Sequence, residues 1–145
     1  MFANFNYDNY EKKNIVKVVF DTNIIDDNDF DNFLNSWIQL YNLKKDFTFI
    51  FDTTNVGYVP IKYSFKMSAF IKNLKRNDYQ YLQKSIILVK SNFVKNMLDI
   101  IFYIQPPVAP VYLTQNKEDI QDILNGNIPH NVVTILPGKS FLNLF

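Results

Sequence analysis

The chain has 145 residues, the usual size of one domain, and its 48% hydrophobic and 20% charged residues are typical of a globular protein. It contains no cysteine, which excludes disulfides, thiol nucleophiles and thiolate metal sites. The longest apolar run, Ile100 to Ile104, is far shorter than the roughly 20 residues of a membrane-spanning helix. Met1 to Tyr10 lack a basic segment followed by an apolar one, so we expect no signal peptide and a cytoplasmic location.

The net charge is +1, but acidic and basic residues are unevenly distributed along the chain. Residues 1–59 hold nine acidic and five basic side chains, and residues 96–145 hold four acidic and two basic. Residues 60–95 hold eight basic side chains against Asp78 alone. The middle third is therefore where the sequence predicts that an anionic partner would bind.

The first predicted elements are a strand and an amphipathic helix. Ile15 to Phe20 is β-branched and compact, which favours a strand. The apolar residues that follow recur every three or four positions, which predicts a helix: Phe30, Phe33, Leu34, Trp37, Ile38 and Tyr41. Trp37 lies in the centre of this apolar stripe, so we expect it to be buried. Asp26, Asp27 and Asp29 stand at the helix start, where carboxylates cap free N–H groups.

A second strand–helix pair follows. Phe47 to Phe51 is predicted as a strand that ends at Asp52. After a loop, one arc of the next helix is apolar, with Tyr63, Met67, Phe70, Ile71 and Leu74. The complementary arc is basic, with Lys62, Lys66, Lys72, Lys75 and Arg76. This basic helix face is either a solvated surface or a binding site for an anionic surface.

The remaining elements continue the alternation of strands and helices. Ser85 to Val89 is an almost wholly apolar third strand, and Val111 to Leu113 a short fourth. Between them lies a third helix, marked by Phe93, Val94, Met97, Leu98 and Ile101, with Ser91 or Asn92 as its cap. A last helix begins after Asn116 and ends near Gly126. Met1 to Tyr10 are expected to add a strand that pairs with the first.

This order of elements predicts a single α/β domain covering residues 1–145, with residues 128–145 as a C-terminal tail. The sheet is expected to be mostly parallel or mixed, with about four to five strands and helices on both faces, because parallel strands are usually buried on both sides.

No motif in the sequence predicts catalysis or metal binding. Pro137-Gly138-Lys139-Ser140 ends like a phosphate-binding loop, but Val133 occupies the position of its first glycine. The acidic run from Asp21 to Asp31 does not fit a calcium loop in either register, since Asp26 or Asn32 falls where a glycine is required. His130 is the only histidine and is expected to be solvated in a turn. We therefore expect no catalytic residue, no cofactor and no metal.

The strand-end turn Asp52-Thr53-Thr54 admits two interpretations. Functional residues of α/β sheets often stand at the carboxyl ends of strands, so Asp52 is a candidate functional residue. Alternatively, its carboxylate caps the turn through local hydrogen bonds. For nucleic acid, the sequence has neither an aromatic-flanked glycine motif nor a helix-turn-helix pattern, so no nucleic acid is expected as a partner.

Several segments resemble those of Sec14-like (CRAL-TRIO) and STAS domains, and the likeness extends from Ile15 to Gly138. Asp52-Thr53-Thr54-Asn55-Val56 is similar to the strand-end aspartate of these families. The strand SIILVK followed by Ser91-Asn92-Phe93 resembles the Sec14-type strand and helix pair, and Lys117 to Gly138 resembles the closing Sec14 pattern. Where sporulation-type STAS regulators carry Asp-Ser-Ser-Gly, this chain has Pro60-Ile61-Lys62-Tyr63 and lacks the phosphorylated serine.

The resemblance implies a compact, non-enzymatic binding module that interacts with a protein partner, an anionic lipid or membrane surface, or both. The alternatives are a structural or assembly subunit, for example of a large DNA virus, and a STAS-type regulator without the phosphorylated serine. Four of the last five residues are apolar, namely Phe141, Leu142, Leu144 and Phe145. Because such side chains gain by leaving water, we expect this tail to dock on its own domain, on a second copy in a homo-oligomer or on another partner.

Overall fold

The computed structural model describes residues 1–24 and 26–138 of the chain. Within these residues the chain forms six strands and five helices. In chain order they are β1 (Ala3–Asn6), α1 (Tyr10–Lys13), β2 (Ile15–Phe20), α2 (Asp27–Asn42), β3 (Phe47–Asp52), α3 (Lys62–Leu74), β4 (Leu82–Leu88), α4 (Asn92–Ile104), β5 (Val111–Thr114), α5 (Asp119–Leu124) and β6 (Val133–Ile135). No helix of the described part of the chain combines the length and apolar character needed to cross a membrane.

All six strands form one mixed sheet in the order in which they occur along the chain. β2 to β5 pair parallel, while β1 and β6 pair antiparallel at the two edges. The expected strand near the N-terminus is confirmed as β1, whose Ala3 lies opposite Phe20 of β2. The single α/β domain with a mixed sheet is confirmed, with β6 drawn from the segment that we assigned to the tail.

The three long helices lie on one side of the sheet. Each parallel strand lies beside its predecessor in the chain, and because such crossovers are right-handed, the connecting helices fall on the same side. The rings agree with this placement, since Phe33 of α2 lies 5.3 Å from Phe20 and Trp37 of α2 lies 4.9 Å from Phe49 and 5.2 Å from Phe70 of α3. We call this side the covered face.

The opposite side of the sheet is only partly covered. Side chains alternate along a strand. Ile87 points toward the covered face, so its neighbours Ile86 and Leu88 point away from it. The six-residue α5 lies on this opposite side, because the Lys84 ammonium donates to the backbone oxygen of Ile123 at 3.2 Å. Helices therefore occur on both faces, as predicted, but unequally.

The rest of the opposite side, over β2 and β3, carries no helix among the described residues. We call it the open face. Its side chains are half-buried and mixed in character, with Lys17, Val19, Thr48 and Ile50.

The helix starts follow the capping chemistry expected from the sequence. The Asp29 backbone N–H donates to Asp26 Oδ1 at 3.1 Å at the start of α2. The Val94 N–H donates to Ser91 Oγ at 3.1 Å at the start of α4. These bonds satisfy N–H groups that have no partner within the helix, and the first of them gives Asp26 its expected role as the cap of α2.

Candidate functional site

The strand-end turn is held together by local hydrogen bonds. The Thr54 backbone N–H donates to Asp52 Oδ1 at 3.0 Å, and Thr53 Oγ1 donates to the backbone oxygen of Leu88 at 2.7 Å. Burial alone would raise the pKa of Asp52, but the hydrogen bonds from Thr54 and the nearby Lys17 and Lys117 outweigh burial and lower it. Of the two interpretations, the geometry matches the one in which Asp52 caps the turn.

The predicted basic face of α3 is partly neutralised by the acidic start of α2. Lys62 Nζ lies 3.1 Å from Asp27 Oδ1, and Lys66 Nζ lies 3.3 Å from Asp31 Oδ1. The acidic first third and the basic middle third of the sequence therefore meet in space. Such exposed ion pairs add little stability, but they reduce the positive potential that α3 offers to an anionic partner.

The Asp27 carboxylate has a second partner. The Tyr63 hydroxyl donates to Asp27 Oδ1 at 2.7 Å. This hydrogen bond, followed by the one from Lys62, lowers the pKa of Asp27 below its ordinary value of 3.8. Asp27 thus joins the first turns of α2 and α3 through a tyrosine and a lysine.

The other three residues of the predicted basic face behave differently from the first two. Lys72 lies in α3, whereas Lys75 caps the end of the helix and Arg76 lies in the turn after it. Lys75 Nζ donates to the backbone oxygen of Gly138, which follows β6. Lys72 and Arg76 are exposed, and neither is in an ion pair among the described residues. The five predicted basic residues therefore split into two that are paired with acidic residues of α2 and three, Lys72, Lys75 and Arg76, that have no ion pair within the described part of the chain.

The solvent-exposed surface of α3 and α4 is rich in large apolar side chains. Tyr58 is 71% exposed, Ile61 58%, Phe65 52% and Phe93 41%. Ile100 is also exposed, and we call these five residues the α3–α4 surface. Single exposed apolar residues are ordinary, but a contiguous group of this kind commonly marks an interaction site.

The two helices that carry Phe65, Phe93 and Ile100 pack side by side. Ser68 Oγ of α3 donates to the backbone oxygen of Ile101 of α4 at 3.2 Å. Both helices follow parallel strands and so run in the same direction. One turn before this contact Phe65 is level with Met97, and two turns before it Ile61 is level with Phe93. The ring of Tyr58 lies 5.9 Å from that of Phe93, so these two rings are in contact at the N-terminal ends of the two helices.

Beneath the helices, an apolar cavity of about 120 Å³ lies against the covered face. Its lining combines side chains from the sheet with others from α2, α3 and α4, among them Trp37, Met67, Ile71, Ile87, Leu98 and Val111. Trp37 is 5% exposed, so its predicted burial is confirmed. Its indole Nε1 is nevertheless without a hydrogen-bond partner.

A more polar depression lies at the carboxyl ends of β4 and β5. It has a volume of about 310 Å³ and is lined by Lys90, Ser91, Asn92, Lys95, Thr114, Asn116 and Asn131, among others. Beside it the Asp119 carboxylate accepts hydrogen bonds from Asn131 Nδ2 at 2.9 Å and Thr114 Oγ1 at 2.8 Å, which lower its pKa. These bonds tie the start of α5 to β5 and to the loop before β6.

Other predicted candidates fall outside any site or outside the described residues. His130 is exposed in a turn, as expected. The tail residues Phe141, Leu142, Leu144 and Phe145, together with Lys139 and Ser140 of the phosphate-loop-like segment, lie outside the described residues.

The α3–α4 surface was missed by reasoning from the sequence. Phe93 was assigned to the inner stripe of its helix, although it is exposed. Phe65 falls within the basic arc of α3, where a large aromatic residue breaks the polar pattern. That break was the one signal in the sequence that pointed to this surface.

No family model, curated protein or solved structure that was compared with the chain matches it. The resemblance to Sec14-like and STAS domains therefore stays a prediction.

Proposed function

We propose that this chain is a non-enzymatic binding module, of the kind that the Sec14/STAS resemblance implies, and that it docks a protein partner on the α3–α4 surface. The observation that carries the proposal is the exposure of Tyr58, Ile61, Phe65 and Phe93 on or just before the adjacent helices α3 and α4, with the rings of Tyr58 and Phe93 5.9 Å apart. Aromatic residues are enriched in protein interfaces and supply most of the anchoring side chains there.

The cations next to this surface indicate the chemistry of the partner. Ile61, at the N-cap of α3, is followed by Phe65 and Lys72 at spacings of four and seven residues, so the three form one stripe along the helix. Arg76 lies in the turn just beyond the end of this stripe. The stripe is apolar in its first half and cationic in its second. A complementary partner is a segment, such as an amphipathic helix, with an apolar anchor followed by acidic residues.

A protein partner fits this surface better than an anionic membrane. Each cation near an anionic bilayer contributes about 1 kcal/mol, so Lys72, Lys75 and Arg76 together contribute about 3 kcal/mol. Lys62 and Lys66 add little, since Asp27 and Asp31 neutralise them. Electrostatic docking on lipid would therefore be weak and sensitive to salt, whereas the exposed parts of the apolar side chains offer a partner contacts that salt does not weaken.

Selection from a random peptide library on the immobilised chain tests this proposal. We expect the enriched peptides to share an apolar anchor flanked by Asp or Glu, and to bind with an affinity that falls as salt is raised. Phe65→Asp should abolish binding of these peptides, because the aspartate places a charge where the apolar anchor packs. Lys72→Gln with Arg76→Gln should weaken binding and flatten its salt dependence.

The matched control is Ile128→Asp, which places the same charge at another exposed apolar residue, on the loop after α5. It should leave peptide binding unchanged, and circular dichroism should show that all variants are folded. Enriched peptides that bind the Phe65→Asp variant as well as the wild type would contradict the proposal. Flotation with vesicles containing phosphatidylserine, and light scattering of the purified chain, reveal the competing outcomes of membrane docking and self-association.

A further inference from the structure

We propose that the apolar cavity beneath α3 and α4 is a binding site for a small apolar molecule of about aromatic-ring size that carries one hydrogen-bond acceptor. The acceptor would bond to the indole N–H of Trp37. This site is distinct from the α3–α4 surface and does not depend on the function proposed for that surface.

The size of the cavity limits what it can hold. Its volume of about 120 Å³ is comparable with that of an engineered apolar cavity of roughly 150 Å³ that binds benzene. It is well below the roughly 300–1,000 Å³ of typical sites for larger ligands. A ring or a short branched chain therefore fits, and a whole lipid does not.

The unpartnered indole N–H of Trp37 indicates that an acceptor is missing. Among the described residues, two buried side-chain polar atoms lack a hydrogen-bond partner, namely Tyr10 Oη and Trp37 Nε1. Of these two residues, Trp37 lines the cavity and Tyr10 does not. Buried polar groups are almost always hydrogen-bonded, and an indole nitrogen can only donate.

Water fits this position less well than an apolar molecule with one acceptor. A buried water needs two to four polar partners. Two of the hydroxyl groups in the lining are already engaged, since Thr53 donates to the Leu88 backbone oxygen and Tyr63 donates to Asp27. Apart from Ser85 and Trp37 itself, the other lining side chains are hydrocarbon or thioether groups. An apolar body with a single oxygen matches that surface.

Anisole and ethylbenzene form a matched pair of probes, because they have nearly the same shape and only anisole carries an acceptor oxygen. Each is titrated into the ¹⁵N-labelled full chain, in which the single tryptophan gives one indole N–H resonance. We expect saturable binding of both probes, with anisole about fivefold tighter, the factor that one neutral hydrogen bond contributes. The indole proton should move downfield with anisole and much less with ethylbenzene.

Trp37→Phe removes the N–H and keeps an aromatic ring, so it should bind both probes and lose the preference for anisole. Tyr10→Phe removes the other unpartnered group, outside the cavity, and should change neither affinity. If Trp37→Phe does not fold, the shift of the wild-type indole resonance decides. Three results would overturn the inference: no saturable binding, equal affinities for the two probes, or an indole N–H resonance that does not shift with anisole. The last result would instead place the N–H against a ring of Phe49 or Phe70.

Discussion

β3 and β4 are neighbours in the sheet, and they meet different surroundings on the side away from the long helices. In β3 the residues Phe47, Phe49 and Phe51 are buried on the covered face, while Thr48 and Ile50 are half-exposed on the open face. In β4 the four residues 85–88 are buried on both sides. We attribute the difference to α5, which packs against β5 on this side of the sheet and accepts a hydrogen bond from Lys84 of β4.

This comparison explains why the two strands have different sequences. A strand covered on one side alternates between apolar residues and others that tolerate water, whereas a strand covered on both sides is a continuous apolar run. SIILV is such a continuous run, and FTFIF alternates in part, since Thr48 is polar while Ile50 is apolar. The periodicity of a strand thus reports how many of its faces another element covers.

The largest effect is expected on the covered face, at Trp37. Trp37→Ala should lower the free energy of unfolding by about 3–5 kcal/mol, because it empties a buried ring site that packs against Phe33, Phe49, Phe51 and Phe70. Urea denaturation measures this change. Ile38→Ala, at the exposed next position, is the control and should cost about 1 kcal/mol or less. Similar losses for the two variants would contradict the burial of Trp37.

The second prediction compares two isoleucines that are direct partners in the sheet. Ile50 of β3 lies opposite Ile86 of β4, and both point away from the covered face. Ile86→Ala should cost about 2–5 kcal/mol, since Ile86 is fully buried, whereas Ile50→Ala should cost about 1 kcal/mol. Chemical denaturation of both variants provides the measurement, and equal costs would mean that the open face is covered in solution.

The third prediction, with a smaller expected effect, tests whether α5 is the element that buries Ile86 of β4. Ile123 is fully buried, although it lies outside the main core cluster on the covered face. In a double-mutant cycle, Ile86→Ala and Ile123→Ala should deviate from additivity by about 0.5–3 kcal/mol, because residues that share one packing site are coupled. The cycle of Ile50→Ala with Ile123→Ala serves as the control and should be additive within about 0.5 kcal/mol. Coupling of the same size in both cycles would place α5 elsewhere.

The smallest effect concerns Asp27, at the exposed rim where α2 meets α3. Its pKa is depressed in the folded chain, so it contributes stability above the pKa of the unfolded chain, and this contribution is lost as pH falls below 3.8 toward the folded pKa. Tyr63→Phe and Lys62→Gln should each raise the Asp27 pKa, because each removes a hydrogen bond to the carboxylate, and Lys66→Gln should raise it least. NMR titration of the Asp27 carboxyl carbon tests this order; a wild-type pKa at or above 3.8 would contradict the hydrogen bonding described here.

Much of the fold could be predicted from the sequence because its elements carry strong local signals. The bounds of β2 and the apolar stripe of α2 follow directly from side-chain spacing. β6 gave no such signal, since it has three residues and its Val133 is exposed. Its pairing depends on the edge that β5 offers, and that edge exists only in the folded sheet.

The candidate site was much less predictable. The basic arc of α3 was visible in the sequence, but its neutralisation by Asp27 and Asp31 was not, because 35 residues separate each acidic residue from its lysine. The α3–α4 surface had one signal in the sequence, Phe65 within the basic arc, and the cavity had none. Both arise where helices that are distant in sequence pack side by side.

The sequence by itself determined the alternation of strands and helices, the buried position of Trp37 and the capping of α2 and α4, because each depends on residues within one or two helical turns. The tertiary structure alone decided which charges meet, which apolar side chains stay exposed and where an unfilled space remains. These properties depend on the relative placement of whole elements. The right-handed crossovers and the sequential order of the strands fix that placement, and no single segment of the chain specifies it.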